Sequence, residues 1–146
     1  LIREARPDEL DQVRELFREY GEWVGNPICF KRFAAEIAAL PGEYSPLLVA
    51  VESGELAGCA ALRSIGDGIA EMKRLYVRPA FRGRSLGHQL LERVIARAKE
   101  LHFHVLRLDT LPVMESAIAL YRAKGFREIP PYGDNPEGAL CFELGL

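Results

Sequence analysis

The chain has 146 residues, 49% of them hydrophobic and 27% charged, a composition that describes a globular protein able to bury a two-layer core, so residues 1–146 are expected to form a single domain. A formal net charge of -2 gives no overall attraction to nucleic acid or to an anionic membrane, and the apolar runs are too short to span one, so neither is an expected partner. Cys29, Cys59 and Cys141, like His88, His102 and His104, are scattered without ligand spacing, which leaves no basis for a metal centre or a disulfide framework and sets the expectation of reduced thiols in a cytoplasmic protein.

In chain order, a short strand near Leu1 to Ala5 is followed by Pro7 and Asp8, which open a helix with Leu10, Val13, Phe17, Tyr20 and Val24 on one face. Gly25, Asn26 and Pro27 end it. Phe30, Phe33, Ile37 and Leu40 repeat at helical spacing in a second, shorter helix closed by Pro41 and Gly42. Leu47 to Val51 and Gly58 to Leu62 are apolar runs joined by the turn-rich ESGEL, a hairpin signature, and Gly66-Asp67-Gly68 turns the chain into a strand ending at Val77. The stretch that follows, RPAFRGRSLG, is a basic loop punctuated by glycines.

That loop opens directly into a helix whose apolar stripe is Leu86, Leu90, Leu91, Val94, Ile95, Ala98 and Leu101. A helix N-terminus leaves backbone N–H groups without partners and carries the positive end of the macrodipole, so it suits a diphosphate. Arg78, Arg82 and Arg84 add charge there, and Gly83 and Gly87 allow close backbone approach. Val105 to Thr110 is the next strand, completing a crossover unit that places ligands at the carboxyl end of the strand. A helix from Pro112 to Lys124, capped by Gly125, and strands at Phe126 to Ile129 and Ala139 to Leu144 complete the chain. These elements define an α/β domain with its strand order open.

Arg82-Gly83-Arg84-Ser85-Leu86-Gly87, preceded by LYVRP, resembles the pyrophosphate loop of the GNAT N-acetyltransferase superfamily, with Ser85 where that pattern has its first glycine. The run from Leu106 to Ile129 is similar to the family's second coenzyme-binding strand and helix, matching at Ala117, Leu120, Tyr121, Gly125 and Phe126, with Met114 where the family has an asparagine. The resemblance implies an open mixed sheet with helices on both faces and transfer of an acetyl group from acetyl-CoA to an amine. It implies coenzyme contacts from Leu75, Tyr76 and Val77 on the strand, from Arg82 through Gly87 in the loop, and from Met114, Ala117 and Tyr121 on the later helix. Tyr121 is the implied acid that helps the thiolate leave, and Glu71, eleven residues before Arg82, the implied base.

Glu19, Tyr20, Trp23, Tyr132 and Asp134 are the candidate lining of the acceptor site, where acids and aromatics suit a cationic amine of a small molecule or peptide. No metal is expected, and a homodimer is left open. Two other readings stay in play: a domain of the same fold that holds CoA as a sensor without turnover, and a nucleotide-binding α/β domain. Against the second, the loop lacks both the Gly-Lys-Ser/Thr of a P-loop and a full G-x-G-x-x-G fingerprint.

Overall fold

The computed structural model describes residues 1–25 and 33–146. Positions 29 and 30, where Cys29 and the first apolar residue of the expected second helix fall, lie outside the described residues, as do Asn26 and Pro27. The strands are β1 (Ile2–Glu4), β2 (Leu47–Glu52), β3 (Glu55–Ser64), β4 (Ile69–Val77), β5 (Val105–Thr110), β6 (Arg127–Ile129) and β7 (Leu140–Gly145). The helices are α1 (Leu10–Val24), α2 (Phe33–Ala39), α3 (Leu86–Glu100) and α4 (Glu115–Ala123). Together the strands form one sheet in the order β1-β2-β3-β4-β5-β7-β6. Every neighbouring pair is antiparallel except β4 and β5, which run parallel.

Local chemistry explains these elements. The β2–β3 hairpin turns at Ser53 and Gly54, with φ of 51° and 78°, the two positive angles that a tight hairpin turn compatible with strand twist requires. α1 buries Val13, Leu16 and Phe17, spaced at three and four residues, against the face of the sheet that carries Leu47, Val49, Cys59 and Ala61. α3 buries Leu86, Leu90, Leu91, Val94 and Ala98 on the opposite face, against Leu48, Ala60, Leu62 and Leu106. Burying a leucine completely is worth about 1.5–3 kcal/mol, so this stripe fixes α3, and with it the position of its N-terminus, against the sheet. The open mixed sheet with helices on both faces is therefore present.

Two expected boundaries shift. Leu101 lies beyond α3 and is 43% exposed, because the chain turns away through His102 at φ 66°. α4 begins at Glu115 rather than Pro112, because Met114 donates its N–H to the Leu111 carbonyl in a turn and keeps a non-helical ψ of 59°. Cys59 and Cys141 are buried free thiols, and burial pushes the Cys59 thiol up to about 12, which leaves it protonated and inert as a nucleophile. No described helix is long and apolar enough to cross a membrane.

Candidate active site

The parallel ladder between β4 and β5 is short. It pairs Ile69 with Val105, Ala70 with Leu106 and Glu71 with Arg107, and then stops, while β4 continues to Val77 and β5 to Thr110. Beyond Glu71 the two strands part, leaving backbone on the β5 side of β4 without a strand partner. A bulge sits in the same place. The register of β3 against β4 shifts between Cys59, opposite Tyr76, and Ala61, opposite Lys73, and Arg74 stands at φ 61°. An extra residue of this kind bends the strand and increases its twist. Gly58 is required beside it, since a Cβ there would lie 2.5 Å from the Tyr76 carbonyl oxygen.

The basic loop lies immediately beyond β4. Pro79–Phe81 forms a single turn of 3-10 helix, and α3 starts at Leu86. Phe81 and Arg82 donate their N–H groups to the carbonyls of Arg78 and Pro79, and Gln89 donates to Ser85. Between them, no acceptor within the described residues is found for the N–H groups of residues 83 to 88. Gly83 at φ 82° and Ser85 at φ 61° flank Arg84, and left-handed residues at alternating positions gather successive N–H groups into an anion-binding concavity. Ser85 thus keeps the left-handed conformation of a glycine, and its side chain does not cap the helix.

The three arginines expected around this cradle divide. Arg84 stays with it, half exposed, 3.9 Å from Glu52 and over the Phe81 ring. Arg78 turns away to α1, where Nε and Nη2 reach Glu19 at 3.0 and 2.9 Å. Arg82 also turns away, its Nε donating to the Val77 carbonyl at 2.9 Å and its guanidinium lying over Trp23.

A cavity of about 460 Å³ fills the space where the strands part. Its walls come from β4 (Met72 to Leu75), the end of β5 (Leu108 to Thr110), Met114 just before α4, α4 itself (Ala117, Tyr121), α1 (Tyr20, Trp23) and the loop before β7 (Asp134 to Glu137). Tyr121 is 4% exposed, and its ring packs on Phe126 and Phe142. No hydrogen bond of its hydroxyl is found among the described residues. Burial, with smaller contributions from Tyr20 and Asp109, raises the phenol well above its ordinary value, so it remains a proton-bearing donor.

Glu71 is buried and firmly held. It is 2% exposed; Oε1 accepts from Arg63 Nε at 2.8 Å and Nη2 at 2.7 Å, and Oε2 accepts from the Tyr132 hydroxyl. Both oxygens are occupied, and Glu71 is not on the cavity wall. Asp109 is on that wall. Its Oδ2 accepts from Asn135 Nδ2 at 2.9 Å and lies 3.6 Å from Lys73 Nζ, while Oδ1 carries no hydrogen bond among the described residues. Asp134 and Glu137 also line the cavity, and Glu36, which faces it from α2, is held by Arg74 Nε and Nη2 at 2.8 Å each.

Of the residues singled out from sequence, Tyr20, Trp23, Leu75, Met114, Ala117, Tyr121 and Asp134 come together on the cavity wall. Gly83, Arg84, Ser85, Leu86 and Gly87 form the adjoining cradle. Glu19 and Tyr132 are drawn off instead, Glu19 by Arg78 and Tyr132 by Glu71, and Arg107 lies over the Tyr132 ring. Tyr76 points into the α1 side of the sheet, its hydroxyl 3.5 Å from Glu19. Sequence reasoning missed Asp109, Lys73 and Asn135 as a group. The available signal was an acid closing the β5 run LRLD at its carboxyl end, where open α/β sheets place their ligands.

Comparison with known proteins agrees with this geometry. Residues 10–126 match the family model described as "Acetyltransferase (GNAT) family". The chain is 36% identical over 136 residues to an uncharacterized N-acetyltransferase of Schizosaccharomyces pombe, covering 89% of this chain and 83% of that one. It is 30% identical to one of Dictyostelium discoideum, over 88% of this chain and 90% of that one. In fold it is similar to the PaiA N-acetyltransferase of Thermoplasma acidophilum, solved in complex with coenzyme A, with a TM-score of 0.77 at 20% identity, covering 100% of this chain and 98% of that one. The chain belongs to the GNAT acetyltransferase family and is an acetyl-CoA-dependent N-acetyltransferase.

Two substitutions test the site as built. Ser85→Gly relieves a left-handed serine and should raise stability by about 0.5–1 kcal/mol, with CoA affinity equal or higher; thermal melts and a CoA titration read both. Glu71→Gln should lower the melting temperature by several degrees, because it removes the buried one of Arg63's two carboxylate partners and leaves only the exposed Glu43, while the pH–rate profile keeps the shape of the parent. Turnover that is lost and then recovered by raising the pH would instead make Glu71 the base.

Proposed function

We propose that the protein transfers the acetyl group of acetyl-CoA directly to a primary amine of a small molecule or peptide held in the cavity between β4 and β5. The observation that carries this reading is the run of N–H groups from residues 83 to 88 without partners, standing at the end of the strand that forms one wall of the cavity holding Tyr121. The amides of Gly83 to Gly87, with Arg84, bind the diphosphate. The edge of β4 beyond Glu71 offers Leu75, Tyr76 and Val77 backbone groups to an extended pantetheine arm, as a neighbouring strand would. Met114, at the cap of α4, and Ala117, on its first turn, present an apolar wall to that arm.

The coenzyme supplies an acetyl thioester; the chain supplies position and protons. Asp109, a strand carboxylate on the cavity wall whose Oδ1 carries no hydrogen bond among the described residues, receives the proton lost by the acceptor ammonium, directly or through water. The amine nitrogen then bonds to the thioester carbon as the carbon–sulfur bond breaks. Tyr121, kept protonated by burial, would donate its hydroxyl proton to the sulfur that leaves with the electron pair, and the second proton of the amine nitrogen, shed as the amide forms, would restore the phenol. Tyr20, Trp23 and Asp134 hold the acceptor on the other side.

The test is a panel of primary amines assayed by release of free CoA thiol. The parent turns over at least one amine, and Tyr121→Phe, which keeps the ring packing, lowers kcat about a hundredfold or more. CoA binding without turnover of any amine would make the domain a CoA-holding module. A Tyr121→Phe rate close to that of the parent would leave Tyr121 a packing residue.

A further inference from the structure

Arg82, the first residue of the loop motif, commits its backbone N–H and its Nε away from the cradle that follows it. Its N–H is used by the Pro79 carbonyl at 3.3 Å and its Nε by the Val77 carbonyl at 2.9 Å. Its guanidinium carbon lies 4.9 Å from the Trp23 ring centroid and 5.8 Å from that of Tyr76. Trp23 in turn packs on Tyr76 at 5.6 Å and on Tyr20 at 6.3 Å. Arg78, one step earlier in the same loop, grips Glu19. Glu19 and Trp23 are four residues apart and share one face of α1, so Arg78 and Arg82 clasp successive turns of the helix that carries the acceptor wall.

We propose that Arg82 acts on the acceptor side of the site, as a positioning residue that seats Trp23, and that Trp23 so held selects amines carrying an apolar or aromatic substituent. Trp23 is 45% exposed and lies on the last turn of α1, before the left-handed cap at Gly25. Without the cation, an indole this exposed would be free to change rotamer. The cation over its face, itself tethered to the β4 carbonyl, fixes it against Tyr76 with one edge on the cavity. The acceptor's ammonium faces Asp109 deeper in the cavity, and its substituent lies along Trp23 and Tyr20. The selection of the acceptor rests on the function proposed above; the seating of Trp23 does not.

The experiment uses the full chain with Arg82→Met, which keeps the stem and removes the cation, Arg82→Lys, which keeps the charge, and Arg84→Glu as the contrasting change in the cradle. Trp23 is the chain's single tryptophan, so its emission reports the stack without any ligand. Arg82→Met should shift that emission in the ligand-free protein, and Arg82→Lys should shift it less. Calorimetric titration with CoA should give parent-like affinity for Arg82→Met and a strong loss for Arg84→Glu. With an amine bearing an apolar substituent, Arg82→Met should raise the acceptor KM about two- to fivefold, the size of an exposed cation–π contact, with the KM for acetyl-CoA unchanged. Unchanged emission overturns the seating. Loss of CoA affinity in Arg82→Met with an unchanged acceptor KM assigns Arg82 to the diphosphate and overturns the proposal. Absence of CoA binding by the parent overturns the proposed function, while the emission arm still decides whether Arg82 seats Trp23.

Discussion

The parting of β4 from β5 beyond Glu71 and Arg107 is the constraint on which the rest of the structure depends. A parallel pair buried in a sheet normally keeps its ladder, because unpaired backbone groups away from water are costly. Here the ladder ends early, and the bulge at Arg74, with its positive φ, marks where β4 bends. The opened edge demands a partner, and an extended ligand with amide groups meets that demand. The same parting gives the end of β4 a loop and the start of α3, so the unpartnered N–H groups and the free strand edge lie on one continuous path. Tyr121 reaches the path from α4 because Phe126 and Phe142 hold its ring.

Around this gap the charges of β4 are set by three different neighbours. Glu71 pairs with Arg63 on β3, Lys73 with Asp109 on β5, and Arg74 with Glu36 on α2. Buried pairs of this kind add little net stability, since desolvation offsets much of their attraction. They do fix geometry. Glu71, bonded to both Arg63 and Tyr132, anchors the loop before β7, and Asn135 of that loop holds Asp109. Glu71, a carboxylate buried on a strand next to the gap, thus ties the loop before β7 to the sheet, while Asp109 keeps one oxygen without a hydrogen bond among the described residues.

Much of this was legible in the sequence where a local rule decides the structure. The stripe of α3, the hairpin turn at Ser53 and Gly54, and the loop-to-helix junction all follow from spacing and turn chemistry within a few residues. Ser85 was legible as a departure from the loop pattern, and its backbone angle shows that the left-handed conformation persists without glycine. What could not be read were pairings between distant residues. Nothing local to Glu71 announces Arg63 and Tyr132, nor does the basic run around Arg82 reveal that two of its arginines are spent on α1. Clustering in sequence suggested one electropositive site, and the fold divides the cluster between a cradle and a clasp. Asp109 was passed over for the same reason: its meaning depends on where β5 ends relative to β4.

The N–H groups of residues 83 to 88, without acceptors among the described residues, are the proposed diphosphate cradle. Residue-resolved amide hydrogen exchange, with and without saturating CoA, tests it most directly, because a donated N–H exchanges slowly and an unpartnered one does not. Fast exchange is expected at Gly83 through His88 in the free protein, with marked protection of several of them on adding CoA. CoA binding that leaves these amides as fast as before, with protection only elsewhere in the chain, would contradict it.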